Sequence, residues 1–278
     1  MQHILWYARY AATAIVFSTL SAGSALAQNA PTRFCPSPSD SQGADATPAP
    51  ATPSVSAGMA ALGQRNYPLA YSNLRPLADM GNVEAQRDIG ILLRQSCGQG
   101  SDKSAAVSWF KKAAEAGDAG ASFQLGNMYM FSDGVAQDDD AAFKQLTLAA
   151  TAGLMVAQTN LGELYFTGRG VAQDRYQGVV WSVRAAERGE PVALFHIGRE
   201  YANGLALPKD NDKALFFMMV GFQRLPAARR SQFAPGLENI ARQLSVVQVK
   251  TIGEAAQKWA PAAGILSAVI ADANMRGL

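Results

Sequence analysis

Between residues 82 and 221 the apolar and small positions repeat with two periods at once. Within short stretches they fall three and four residues apart, the spacing that puts side chains on one face of a helix. Over longer stretches the whole pattern returns every 36 residues: Ala85, Ala121, Ala157 and Ala193; Gly90, Gly126, Gly162 and Gly198; and before each glycine Ile89, Leu125, Leu161 or Ile197. Three residues after the glycine stand Tyr129, Tyr165 and Tyr201, with Leu93 in the first copy. Glycine inside a helix costs about 0.5–1 kcal/mol relative to alanine, so its recurrence predicts close helix packing.

Each copy contains a second helix. It is expected to open at Asp102, Asp138, Asp174 or Asp210, since an aspartate at the N-cap accepts a backbone N–H and complements the helix dipole. Its face carries Trp109, Gln145, Trp181 or Phe217, followed in three copies by paired alanines. Gly81, Gly117, Gly153 and Gly189 stand where helices end in a left-handed residue, and Gly98, Gly134, Gly170 and Gly204 where the internal loop turns. Four copies, gapless over their first helices and with the loop glycine of the last shifted to Gly204, therefore span 82–117, 118–153, 154–189 and a degenerate 190–225, after a degenerate unit at 57–81. That first unit reads as helices over Met59–Gln64 and Leu69–Asp79, broken at Asn66-Tyr67-Pro68. Residues 226–278 read as capping helices, with a pair over Leu237–Leu244 and Val246–Trp259, a Ser245/Gln248 capping box and a stop at Pro261. In the tail, Ile265, Leu266, Val269 and Ile270 form one apolar stripe, which either packs on the last repeat or docks elsewhere.

The ends of the pattern have a different composition. Arg9, the apolar run Ala11–Leu20 and Ala25-Leu26-Ala27 make a secretory signal peptide over 1–27, with cleavage expected before Gln28. The apolar run is shorter than the roughly 20 residues a membrane span needs, so no span is expected after cleavage, and the chain reads as exported, periplasmic or secreted. Residues 28–56 are rich in Pro, Ala, Ser and Thr and poor in large apolar groups, the composition of a disordered linker. Cys35 and Cys97 are a candidate disulfide in an oxidising compartment.

Charge and candidate chemistry narrow the function by exclusion. A net charge of +2 gives no basic stripe for nucleic acid. The mature chain would hold one histidine, His196, beside the Ile197-Gly198 packing pair, which suits a helix-surface or inter-repeat residue better than a base. One histidine and two distant cysteines make no zinc set, and Asp133 with Asp138–Asp140 lacks the calcium-loop spacing. Ser108-Trp109-Phe110-Lys111 spells the S-x-x-K of penicillin-recognising enzymes, but S-D-N is missing and Lys250-Thr251-Ile252 breaks K-T-G. No catalytic residue and no cofactor or metal is assigned.

The pattern A-x-x-x-L-G-x-x-Y-x-x-G-x-G-V-x-x-D, with a following aromatic residue, paired alanines and glycine, resembles Sel1-like repeats, most completely over Ala121–Gly153 and Ala157–Gly189. The related tetratricopeptide repeat has a period of about 34. The resemblance implies an all-α fold, an α/α superhelical solenoid of helix-turn-helix repeats whose first helices line a concave groove. It also implies an adaptor that binds another protein or peptide in the cell envelope. Two further readings are a periplasmic regulator of a membrane sensor or exopolysaccharide pathway controlled by proteolysis, and a secreted enzyme acting on β-lactams or cell wall.

By analogy with related helical repeats, the groove positions lie three residues before the repeated glycine and one, four and five after it. They select Arg87, Ile91, Arg94 and Gln95; Phe123, Asn127, Met130 and Phe131; Thr159, Glu163, Phe166 and Thr167; and Phe195, Arg199, Ala202 and Asn203. Aromatic and arginine side chains are favoured interface anchors. The phenylalanines either line the groove or are buried between helices.

Overall fold

A computed structural model describes residues 52–95, 102–261 and 265–274. The segment expected to be a signal peptide, most of the expected linker, Cys35, Cys97 and Gly98 lie outside the described residues. Regular structure among the described residues is helical: α1 (Val55–Gly63), α2 (Tyr67–Asp79), α3 (Val83–Arg94), α4 (Lys103–Glu115), α5 (Ala119–Phe131), α6 (Asp139–Thr151), α7 (Met155–Thr167), α8 (Arg175–Ala186), α9 (Pro191–Asn203), α10 (Asn211–Arg224), α11 (Ala227–Ala241), α12 (Val246–Lys258) and α13 (Ile265–Asn274).

Capping residues set most of these boundaries. Asp102, Asp138, Asp174 and Asp210 accept the backbone N–H of Ala105, Ala141, Gln177 and Lys213 at 2.8–2.9 Å. The first helices are capped by Asn82, Asp118 and Glu190, the last in place of the shorter Asn or Asp side chain. Gly117 ends α4 with φ +91°, which lets its N–H reach the Ala114 carbonyl at 2.9 Å while Asp118 N–H reaches Ala113 at 3.0 Å. This left-handed closure turns the chain directly into the next repeat.

Three helix starts differ from the sequence expectation. Helix α1 starts at Val55 because Ser54 caps it, and α2 starts at Tyr67 because Asn66 accepts Leu69 N–H and Pro68 occupies the first turn, where its missing donor costs nothing. Helix α11 runs from Ala227 to Ala241 rather than from Leu237; it carries Pro235 in its interior, and Arg230 donates to the carbonyls of Leu225 and Gln223 at its start. The Ser245/Gln248 capping box is present.

The contacts divide the chain between Leu154 and Met155 into two units. In the first, α1 to α6 pack each on the preceding helix around Leu74, Ile89, Phe110, Leu125 and Met128. In the second, α7 to α10 pack in the same serial way around Val183, Leu194, Ile197, Tyr201 and Leu215. There α11 and α12 both cover α10, and α13 returns to pack on α8. Of the tail stripe, Val269 is buried and Ile270 packs on the same core, with Ala273 buried one turn further on.

The repeated glycines explain how the two helices of a repeat approach. A Cβ on Gly90, Gly126, Gly162 or Gly198 would lie 2.7–2.9 Å from Phe110, Leu146, Ser182 or Met218, which are themselves 36 residues apart. Every copy therefore spends its glycine on the same crossing. Close packing across that crossing outweighs the helix-propensity cost of glycine.

Candidate functional site

The expected groove positions of the first unit mix paired polar groups with open aromatic surface. Arg87 on α3 donates to Asp118 at 3.0 Å, so one carboxylate both caps α5 and receives the arginine of the preceding first helix. Arg94 donates to Asp133 at 2.7 Å and to Gln124 at 2.5 Å, and Lys103 reaches the other oxygen of Asp133 at 2.6 Å. Burial would raise the Asp133 pKa, but the hydrogen bonds from Lys103 and Arg94 outweigh it and hold the carboxyl below its ordinary value. Ile91 is half-buried.

On α5, Phe123, Asn127 and Phe131 follow one another at four-residue steps along one stripe. Phe123 and Asn127 are half-buried, whereas Phe131 is 66% exposed. A benzyl group left this open has no packing explanation within its unit. Met130, next to it, turns inward and is buried.

The second unit repeats the polar logic with different residues. Thr159 on α7 donates to Glu190 at 3.0 Å, at the repeat position Arg87 holds in the first, and Glu190 caps Ala193 N–H at 2.6 Å. Burial raises the Glu190 pKa against those hydrogen bonds. Arg199 donates to Glu163 at 2.9 Å, and His196 Nε2 lies 3.5 Å from the same carboxylate. His196 is buried against Phe166, edge to face at 5.7 Å, and burial with the nearby Arg199 charge lowers its pKa from 6.5 to about 4. It is therefore a neutral inter-repeat residue near pH 7. Asn203 is exposed at the end of α9.

Two of the four groove phenylalanines are core residues. Phe166 is 3% exposed because its ring fills the space over Gly178, where a Cβ would lie 2.6 Å away. Phe195 is 6% exposed because it lies over Gly221, packed also on Phe233 at a centroid distance of 4.6 Å. Together with Thr159 and Met130, these positions hold the scaffold rather than offer a contact. The readable sequence signal for the two rings was a glycine on the facing helix, at 178 and at 221.

Ser108 and Lys111 both lie exposed on α4. The Ser108 hydroxyl donates to the Ser104 carbonyl of its own helix at 3.4 Å, and the Lys111 ammonium lies 6.0 Å from the Tyr129 ring centroid. The tetrad is a stretch of helix surface whose Trp109 and Phe110 face the core. Among the described residues no group of three or more His, Cys, Asp or Glu side chains could hold a metal ion. No described helix is long and apolar enough to cross a membrane.

A family model of the Sel1 repeat matches residues 83–118, 119–154, 156–190 and 191–218, which are the four repeats as the helices place them. This chain is a Sel1-repeat protein. A Sel1 repeat protein from Oxalobacter formigenes has a similar fold, with a TM-score of 0.55 and 25% identity, over 71% of this chain and 88% of that one. A protective antigen present in uropathogenic Escherichia coli strains, which displays an SLR fold, aligns with a TM-score of 0.46 and 22% identity, over 76% of this chain and 51% of that one. The chain thus spans about half the length of the antigen. None of the curated proteins matches the sequence. The fold of this Sel1-repeat protein is an all-α repeat solenoid, and such folds generally mediate protein–protein interaction.

Proposed function

We propose that this Sel1-repeat protein is an exported, non-catalytic adaptor that binds a protein or peptide of the cell envelope on the exposed face of its first helices. The observation that carries the reading is Phe131, a fully formed aromatic anchor left in water at a groove position, with Phe123 and Asn127 along the same stripe. Aromatic side chains of this kind supply most of the energy where they insert into a partner. Polar groups at the expected groove positions of the Phe131 unit are already tied: Arg87 to Asp118 and Arg94 to Asp133. A surface fixed before binding loses little conformational entropy on binding, which favours a rigid platform over a segment that must fold. Export rests on the N-terminal pattern of residues 1–27.

The experiment is a capture series in envelope extracts with the wild-type chain, a Phe123→Ala/Phe131→Ala variant and a Val247→Ala variant, Val247 being an exposed apolar residue on α12. The double variant should lose at least tenfold of the specifically bound partner at unchanged helicity, while Val247→Ala retains it. Equal capture by all three chains would place the binding surface elsewhere.

A further inference from the structure

The tyrosine that follows the repeated glycine has two fates. Tyr129 and Tyr165 are half-buried, whereas Tyr201, at the same position of the last repeat, is 1% exposed. Phe217 stacks on it, and Asp272 of α13 reaches its hydroxyl. The phenol of Tyr201 donates to Asp272 at 2.5 Å, and the Lys213 ammonium reaches the same carboxylate oxygen at 2.5 Å. Beneath lies an aromatic wall: Tyr201 stacks parallel on Phe217 at 5.8 Å, and Phe217 meets Phe216 edge to face at 5.4 Å.

The helix does not fill the wall it covers. The residues it presents are Ala268, Val269, Ala271 and Asp272, spaced so that they share one face. Its two alanines leave a cleft of about 620 Å³ against Tyr201, Phe216, Phe217 and Trp259. Tyr201 and Phe217 are buried, but Phe216 and Trp259 stay partly exposed along this cleft and lack part of the dispersion contacts that hold packed helices together. Among the described side chains of α13, Asp272 makes the polar contacts to the repeats.

We propose that this wall is a second docking surface whose ligand is a partner's amphipathic helix, and that α13 is its displaceable resident in cis. The resident specifies the chemistry of the visitor. It must place a carboxylate between Tyr201 and Lys213 and, at the positions of Ala268 and Ala271, apolar side chains that fill the cleft better than alanine does. The surface does not depend on the Phe131 face and stands or falls separately from it.

The test uses the whole chain and a fluorescein-labelled peptide of residues 262–278, read by anisotropy. Asp272→Asn releases the resident helix at its anchor; Val269→Asp releases it by burying a charge, and neither alters the wall. Both variants should bind the peptide at least tenfold tighter than the unsubstituted chain. A peptide carrying Ala268→Leu and Ala271→Leu should bind at least tenfold tighter still, and one carrying Asp272→Asn should bind at least tenfold more weakly than the original. Equal binding by all three chains, absence of binding to both released variants with helicity retained, or indifference to the peptide substitutions would overturn the proposal. Conversion of the released variants into a stable dimer that leaves no peptide site would also overturn it, because the occupant would then be a second copy.

Discussion

Glu163 and Arg199, 36 residues apart at the same position of successive first helices, meet at 2.9 Å. The pair joins α7 to α9 across one full repeat step, and the Arg199 guanidinium also lies 5.1 Å from the Phe166 ring centroid. His196 sits beneath this pair, within 3.5 Å of the same carboxylate, and burial keeps it neutral.

That burial makes stability pH-dependent in a defined direction. The folded pKa of His196 lies at about 4, below its ordinary 6.5, so the unfolded chain takes up the proton first. The stabilisation is complete above about pH 6.5, declines as pH falls through the window, and levels off below about 4. A shift of this size corresponds to about 3 kcal/mol. Urea denaturation of wild type and His196→Gln between pH 7 and 4 checks it: the wild type should lose about that much more than the variant across the window. Parallel curves would show that His196 does not titrate differently on folding.

The glycine at the helix crossing yields a prediction with an internal control. In Gly198→Ala the new methyl would lie 2.7 Å from Met218 Cγ and 2.9 Å from the Ala214 carbonyl oxygen, and the backbone oxygen cannot step aside. Overpacking of about 1–3 kcal/mol should exceed the helix-propensity gain of about 1 kcal/mol, leaving a net loss. Gly236 in α11 has nothing within 4 Å of its Cβ position, so Gly236→Ala should gain about 0.5–1 kcal/mol. Thermal melts of the two variants should move in opposite directions.

Phe166 and Phe131 occupy successive groove positions by sequence analogy, yet one is 3% and the other 66% exposed. Phe166→Ala empties core and should cost about 3–5 kcal/mol. Phe131→Ala should stay within about 0.5 kcal/mol of wild type. Chemical denaturation separates the two.

Asp118 carries two loads and Asp138 one. Both accept a capping N–H, from Ala121 and Ala141, but Asp118 also receives Arg87. Asp138→Ala should cost about 1 kcal/mol, the ordinary loss of a cap. Asp118→Ala should cost at least about 1 kcal/mol more, since it leaves a half-buried arginine without one of its carboxylates. A double-mutant cycle with Arg87→Ala measures the difference.

The repeat frame was legible because it rests on local chemistry repeated in register. Aspartate caps, helix-ending glycines and the crossing glycines each act on neighbours within a few residues or one helix away, and four copies reinforce each reading. The groove was legible only as positions. Whether a phenylalanine there points to water or to core depends on the facing helix: Gly178 and Gly221 make room for Phe166 and Phe195. The ion pairs from Arg87 to Asp118 and from Arg199 to Glu163 cross one repeat step, a separation at which complementary charges carry no periodic mark. Glu190 escaped notice as a cap because glutamate is not a usual one; its reach to Ala193 is held by the hydroxyl of Thr159. The contact of Asp272 with Tyr201 spans 71 residues and required the fold.

Binding on the first-helix face is tested most directly by a photo-crosslinking residue placed at position 131 in cells that express the chain, with position 247, also exposed, as the control. A discrete adduct is expected from position 131, lost when Phe123 is also replaced by Ala, and none from position 247. Adducts from position 247 but not from 131, or adducts from 131 unaffected by Phe123→Ala, would contradict binding on the first-helix face.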